Sequence, residues 1–357
     1  MMADRKIMFI IHSMDKHGGT ERVTANLSNA FSRTKGYKVT IATLYGKTSS
    51  FGLHPEVRLE SFENPVNRNL YQRLLALRRY IITNKPDVIV GVSVNRLNIL
   101  IALLTFFLNY RPKLIASEHI ALSNSKWFLK QIKSVLYKRF SNVSVLTEHD
   151  HKEFSRLGLD NVIQIPNASS YYPEQQLEIT QRRKRILAVG RLTYQKAFDR
   201  LIDIWSQIHR KYPDWILTII GEGEEQESIL QQAKNEGLDS TRIEMLPFCT
   251  DVDRYFLDSQ IFAMTSRFEG LPMVLIEALC LGCPIISYDC ETGPREIVVD
   301  GVNGYLVEDG RTEGFIQKLE SLLSNESDRR RFSLNAFAMR EKYHIENIVS
   351  QWKELML

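Results

Sequence analysis

The chain has 357 residues, 44% apolar and 25% charged, with four cysteines. These proportions are those of folded globular proteins and exclude a disordered chain, a fibrous repeat and a coiled coil; the length suits two domains. The net charge of +4 conceals an asymmetry, because residues 1–170 hold 24 Lys and Arg against 12 Asp and Glu while residues 171–357 hold 22 against 30.

Residues 6–11 are the first expected strand, an apolar run too short for the core of a signal peptide. A loop through Gly18, Gly19 and Thr20 leads into a helix over residues 21–33. Further strands are expected at residues 38–43, 88–92, 114–117, 143–146 and 162–165, mostly with helical patterns between them. The longest apolar run, residues 99–108 with one interruption at Thr105, is far short of the ~20 residues of a membrane span. Few cysteines and no leader point to the cytoplasm.

Two stretches of this half have no acid. In residues 67–86, Arg68, Arg73, Arg78, Arg79 and Lys85 alternate with Leu70, Leu74, Leu75, Leu77 and Ile81. In residues 126–140, Lys126, Lys130 and Lys133 share a helical face beside Trp127, Phe128, Leu129, Ile132, Val135 and Leu136. Basic amphipathic helices of this kind either pack on a core or lie on anionic lipid, on the inner membrane face of a cytoplasmic protein. Two together favour the membrane surface, and no recognised module supports nucleic acid.

Pro166-Asn167 and the polar stretch 169–183 read as a linker. A second series follows: strands at 186–189, 215–220, 243–246, 261–264 and 284–287, with helices at 199–212, 224–236 and 272–281. Continuous apolar strands between amphipathic helices mean parallel sheets covered on both faces. The expected architecture is α/β, two Rossmann-like domains (1–167 and 168–342) facing across a cleft, with ligands at the carboxyl ends of the strands. A last helix with Trp352 occupies residues 343–357.

The strongest constellation is residues 266–277, Ser-Arg-Phe-Glu-Gly-Leu-Pro-Met-Val-Leu-Ile-Glu. Pro272 stands near the first turn of a helix, where proline belongs, and the free N–H groups beyond it can hold an anion. Glu269 and Glu277 bracket that helix end. Carboxylates there fit sugar hydroxyls, against helix-dipole complementarity for Glu269 and a helix face for Glu277 whose neighbours look buried. A second piece, residues 190–199, carries Arg191 and Lys196 at a spacing that can bracket a diphosphate, or else two ordinary surface cations.

Taken with Ser117-Glu118-His119, Gly221-Glu222-Gly223 and Gly293-Pro294-Arg295-Glu296-Ile297, these residues make the chain resemble a retaining glycosyltransferase of family four with the GT-B architecture, over nearly its whole length. Within that family, residues 289–294 resemble enzymes that extend bacterial surface polysaccharides, such as galactosyl and N-acetylgalactosaminyl transferases on lipid-linked intermediates. The resemblance implies that Arg191 and Lys196 bind the donor diphosphate and that Glu269, with the backbone of Gly270, Leu271, Pro272, Met273 and Val274, holds the transferred sugar. It implies that Glu277 holds the ribose, that Gly18, Gly19 and Thr20 let the backbone approach the diphosphate, and that His119 meets the 6-hydroxyl. The base would rest near Phe248; Glu222 lies at a strand end without a chemical role. The last helix crosses back to the N-terminal domain in this family. The implied donor is a nucleotide sugar, UDP-linked by family resemblance, with a glycan or lipid-linked glycan acceptor and no metal or cofactor.

Weaker signals carry less. Asp251-Val252-Asp253 matches a short metal signature but precedes a helical run and reads as a cap. Cys280 and Cys283 have a zinc-like spacing without a second pair and read as buried thiols. His149-Asp150-His151 reads as a capped surface turn. Gly221-Glu222-Gly223 lacks the third glycine of a dinucleotide fingerprint, which counts against an NAD-dependent oxidoreductase. Two rival functions are a nucleotide-sugar epimerase, which needs no acceptor, and a silent binding subunit, which need not keep Arg191, Lys196, Glu269 and Glu277.

Overall fold

The computed structural model describes residues 4–63, 69–93, 96–249 and 251–357. They form two compact units, one of residues 1–168 with 345–357 and the other of residues 169–344. In the first, β1 (Arg5–Ile11), α1 (Gly19–Arg33), β2 (Tyr37–Thr43), β3 (Arg58–Ser61), α2 (Leu70–Asn84), β4 (Val88–Ser93), α3 (Leu97–Leu104), β5 (Lys113–Glu118), α4 (Trp127–Leu136), β6 (Asn142–Val145), α5 (Glu148–Arg156) and β7 (Val162–Gln164) follow in order. The seven strands pair in parallel in the order β3-β2-β1-β4-β5-β6-β7. β1 is central, with Ile7 opposite both Val39 and Val88.

The second unit runs β8 (Arg183–Val189), α6 (Phe198–Ile208), β9 (Ile216–Ile220), α7 (Gln226–Asn235), β10 (Ile243–Leu246), α8 (Asp253–Leu257), β11 (Ser259–Met264), α9 (Met273–Cys280), β12 (Ile285–Asp289), α10 (Pro294–Ile297), β13 (Gly304–Glu308), α11 (Thr312–Ser324) and α12 (Glu326–Ala338). Its six strands are also parallel, ordered β10-β9-β8-β11-β12-β13. The last helix, α13 (Ile345–Met356), belongs to the first unit and packs on α1.

The elements follow from simple patterns. β4 is buried at every position, as a central parallel strand must be. α6 buries Leu201, Ile202, Trp205 and Ile208, one stripe of a 3.6-residue period. α2 starts on a capping box, Asn69 with Gln72. The stretch read as a linker is tied to the second unit: Ser169 N–H donates to Tyr343 O (2.9 Å), and buried Arg182 donates to the carbonyls of Leu177 (3.1 Å) and Leu281 (3.0 Å).

Several side chains depart from the sequence expectation. Lys133 points inward, 1% exposed, and pairs with Glu118 at 2.6 Å. Arg73 is buried too, paired with Glu63 at 3.0 Å and stacked on Tyr45. A helix in a parallel-sheet domain must bury one stripe, and in α4 that stripe is Leu129 and Lys133, so Trp127, Phe128, Ile132 and Val135 face water. Asp150 of the expected surface turn is 5% exposed and accepts the Leu122 N–H at 2.9 Å; Thr147 caps that helix. Val252, not an aspartate, occupies the cap position before α8. Asp251 pairs with Arg254 at 3.0 Å. Arg68 lies outside the described residues.

Candidate functional site

In the second unit the strand order reverses between β8 and β11, which are paired neighbours. Loops leaving two such strands at their carboxyl ends diverge to opposite faces of the sheet and leave a crevice between them. The loop after β8 carries Arg191 and Lys196; the loop after β11 carries Glu269 and leads into α9.

These loops are laced together. Lys196 Nζ lies 2.6 Å from Glu269 Oε1, with both side chains largely covered. Gln195 Nε2 donates to Phe268 O at 3.0 Å and to Glu269 Oε2 at 3.4 Å. The Arg267 N–H donates to Gln195 O at 2.8 Å. The Arg267 guanidinium grips both oxygens of Asp199 (3.1 and 2.5 Å), donates to Tyr194 O (2.7 Å) and stacks on the Tyr194 ring. Thr292 Oγ1 donates to Glu269 O at 2.5 Å, fixing that loop from its other side. Arg191 is exposed and makes no ion pair among the described residues. One of the two cations is therefore unengaged, and the other is neutralised by the carboxylate beside it.

The glycines after β9 bring a third loop against the loop after β8. A Cβ at Gly221 would lie 1.8 Å from Gly190 O, and one at Gly223 would lie 2.2 Å from Leu192 O, so only glycine permits the approach. Glu222 between them is exposed, and its carbonyl accepts the Leu192 N–H at 2.9 Å. Gly270 and Val274 are half-buried, and Leu271, Pro272 and Met273 buried, around the start of α9. Pro272 precedes the first helical residue, so the N–H groups at the start of α9 are not all used within the helix. Glu277, 1% exposed, lies on the second turn of α9. Phe248 is half-buried beyond the end of β10.

The remaining candidates lie in the first unit, whose strand order reverses at β1 and β4. Gly18, Gly19 and Thr20 open α1 after β1. His119 follows β5 and its Nε2 lies 2.9 Å from Ser117 Oγ. Burial pushes its pKa down to about 4, so the imidazole is neutral at pH 7. The residue before it anchors the strand end. Glu118 receives Lys133 Nζ (2.6 Å), Tyr137 OH (2.6 Å) and Asn98 Nδ2 (2.7 Å), all buried. Burial and the Glu118 charge hold the Tyr137 phenol well above its usual pKa. Cys280 and Cys283 are buried and free, their thiols pushed up to about 12 by burial. Among the described residues, no three His, Cys, Asp or Glu gather as metal ligands.

The sequence reading missed Gln195, Asp199, Arg267 and Thr292, which hold Lys196 and Glu269 in place. Arg267 stands two residues before Glu269, but its partner Asp199 is 68 residues away and no local pattern announces the pair.

Residues 17–169 match the family model described as Glycosyltransferase Family 4, and residues 173–339 match that described as Glycosyl transferases group 1. The amylovoran biosynthesis glycosyltransferase AmsD of Erwinia amylovora is 33% identical, over 98% of this chain and 99% of its own length. The chain belongs to glycosyltransferase family 4. A second relative, 25% identical over 98% of both chains, is the Campylobacter jejuni α-1,4-N-acetyl-D-galactosaminyltransferase acting on a GalNAc-GalNAc-diNAcBac-PP-undecaprenol. Among solved structures, a mutant of S. aureus TarM in complex with fondaparinux, alpha-GlcNAc-glycerol and UDP superposes with a TM-score of 0.82 at 15% identity, covering 99% of both chains. The fold of this glycosyltransferase is thus GT-B, two Rossmann-like domains each built on a parallel sheet.

Proposed function

We propose that this glycosyltransferase moves a hexose or N-acetylhexosamine from a UDP-sugar to a glycan acceptor on a lipid carrier, in bacterial surface polysaccharide synthesis, with retention at the anomeric carbon and without a divalent metal. The observation that carries the donor reading is the Lys196–Glu269 pair beside the unengaged Arg191, at the strand-order reversal of the second unit. A diphosphate can draw Lys196 and Arg191 onto its oxygens, which frees Glu269 to accept sugar hydroxyls. Glu277 holds the ribose hydroxyls and Phe248 borders the base.

In the reaction the bond from the anomeric carbon to the phosphate oxygen breaks, and its electron pair leaves with UDP. The acceptor hydroxyl bonds to that carbon on the same face and passes its proton to the departing phosphate oxygen. Negative charge grows on the phosphate as the bond breaks, so Arg191 and Lys196 stabilise the transition state more than the ground state. One charge-assisted hydrogen bond is worth about 1.5–3 kcal/mol, so losing it costs about one to two decades in rate.

Two relatives support the acceptor reading: AmsD acts in amylovoran biosynthesis, and the Campylobacter enzyme carries an undecaprenyl diphosphate substrate in its name. The asymmetry of charge and the absence of any membrane-crossing helix among the described residues are compatible with a peripheral place on the inner membrane face. The deciding experiment is thermal stabilisation by UDP, GDP, ADP and NAD, with and without EDTA, repeated on an Arg191→Ala, Lys196→Ala variant. A ligand at 100 times its Kd stabilises by about 2.7 kcal/mol. Stabilisation by UDP that ignores EDTA and disappears in the variant is the expected result; a response to NAD alone would overturn the reading. Turnover of the donor without acceptor would mark an epimerase.

A further inference from the structure

The two loops of the second unit that carry Lys196 and Glu269 show few side chains to water. Of residues 189–199 only Arg191 and Tyr194 are exposed, and of residues 261–270 only Phe268. Arg191 has its part in the proposed donor reading; the two rings have none. Tyr194 is 63% exposed and Phe268 41%, and they stand beside the buried pair, Tyr194 two residues before Lys196 and Phe268 next to Glu269.

Both rings are held in advance. Gln195 Nε2 donates to Phe268 O at 3.0 Å, and the Arg267 N–H donates to Gln195 O at 2.8 Å, a two-bond bridge that fixes the backbone of one aromatic residue against that of the other. The Arg267 guanidinium lies 4.1 Å from the Tyr194 ring centroid and is itself gripped by Asp199. Side chains with two χ angles on a laced frame lose little entropy when a ligand settles on them.

The chemistry of the rings selects the ligand. A pyranose has faces lined with C–H groups and an edge of hydroxyls, and the electron-rich face of an aromatic ring suits the former. Lys196, Gln195 and Glu269 supply the polar contacts nearby, so the rings add an apolar platform and no charge. A nucleobase would also stack on such rings, but its expected place at Phe248 follows β10, which β9 separates from β8 and which β9 and β8 together separate from β11. A glycosyltransferase must hold an acceptor sugar within bond-forming reach of the donor's anomeric carbon, and a platform next to Glu269 is suited to it. We propose that Tyr194 and Phe268 form the platform for the acceptor sugar that receives the new bond, with its C–H face on the rings and its hydroxyl edge towards the donor. This rests on the proposed donor reading and adds the acceptor's side of that site.

The test is binding of the methyl α-glycosides of glucose, galactose and N-acetylgalactosamine to the full chain saturated with UDP, read by saturation-transfer NMR. The comparison is with Tyr194→Ala, Phe268→Ala and Phe268→Tyr. The expected result is that at least one glycoside binds and takes saturation mainly at the protons of one ring face. Its affinity falls about fivefold to tenfold with each alanine and about twofold or less with Phe268→Tyr. UDP affinity by calorimetry reads the donor site separately and checks that each variant is folded. Glycoside binding that the alanines leave unchanged, or that a UDP-hexose displaces, overturns the platform. A fall in UDP affinity that matches the fall for the glycoside makes the rings part of the nucleotide's seat and overturns the acceptor assignment. No glycoside bound while UDP binds normally overturns the platform alone; no UDP bound by the wild type overturns the donor reading and the platform with it.

Discussion

Lys196 and Glu269 neutralise each other at 2.6 Å, so in the proposed donor site a diphosphate would compete with a carboxylate for the lysine. With both side chains largely covered, the lost hydration of the pair offsets most of its Coulomb attraction, leaving a net of about 1 kcal/mol. Glu269→Gln removes the competitor, so UDP affinity should rise roughly threefold to fivefold by calorimetry while sugar transfer falls by about two decades. A fall in UDP affinity would show that the carboxylate helps hold the nucleotide instead of competing with it. His119 makes a prediction of a different kind. Its folded pKa of about 4 lies below the unfolded value near 6.5, so in that window the unfolded chain binds a proton that the folded chain does not. Stability from this group is complete above pH 6.5 and is lost as pH falls towards 4. His12 and His209 are also held low, mainly by burial, and they remain when His119 is replaced. Urea midpoints at pH 7.5, 5.5 and 4.5 should therefore fall more steeply in the wild type than in His119→Gln; equal slopes would refute the shift.

Among the elements, the two loops of the proposed donor site owe their spacing to Arg267. It joins the loop after β8 to the loop after β11 through Asp199, Tyr194 O and Gln195 O. A lysine cannot reproduce the planar fork. Arg267→Lys should raise the donor KM and lower kcat together, for a combined loss of about tenfold or more in kcat/KM, while the melting temperature moves by only a few degrees. A loss confined to stability would make Arg267 a structural residue alone. This clamp also marks where sequence reading stops. Most of the buried strands were legible because continuous apolar runs between helical patterns have one parallel-sheet solution, but β13 was not among those expected. β3 was not, since Arg58–Ser61 has a single large apolar residue and sits at the sheet edge. α12 was not, since it buries Arg329 and Ser333 beside Phe332, which erases the apolar stripe. Lys196 and Glu269 could be named separately from their motifs, but their pairing spans 73 residues and depends on β8 and β11 being neighbours. Lys133 misled for a related reason: its partner Glu118 ends a different strand, and a charged residue at helical spacing reads as a solvated face until that partner is located.

At the scale of the whole chain, the polypeptide completes its first core last. α13 buries Ile348, Val349, Trp352, Leu355 and Met356 within the unit that begins at the N-terminus. Trp352 and Ile348 line a cavity there with Val23 and Leu27 of α1 and with His119. The second core, from Ile186 to Phe332, contains no residue of α13. Removing the Trp352 side chain should therefore weaken the first unit alone, by about 3–5 kcal/mol for an aromatic truncation in a packed core. Saturating UDP should stabilise only the unit that carries Arg191 and Lys196. Calorimetry of wild type and Trp352→Ala, with and without UDP, then separates the two cores. The expected record has two transitions, one lowered by about 10 °C in the variant and indifferent to UDP, the other raised by UDP and indifferent to the substitution. A single transition that responds to both would mean that the cores melt as one body, and that the returning helix stabilises the proposed donor site as well as the unit it completes.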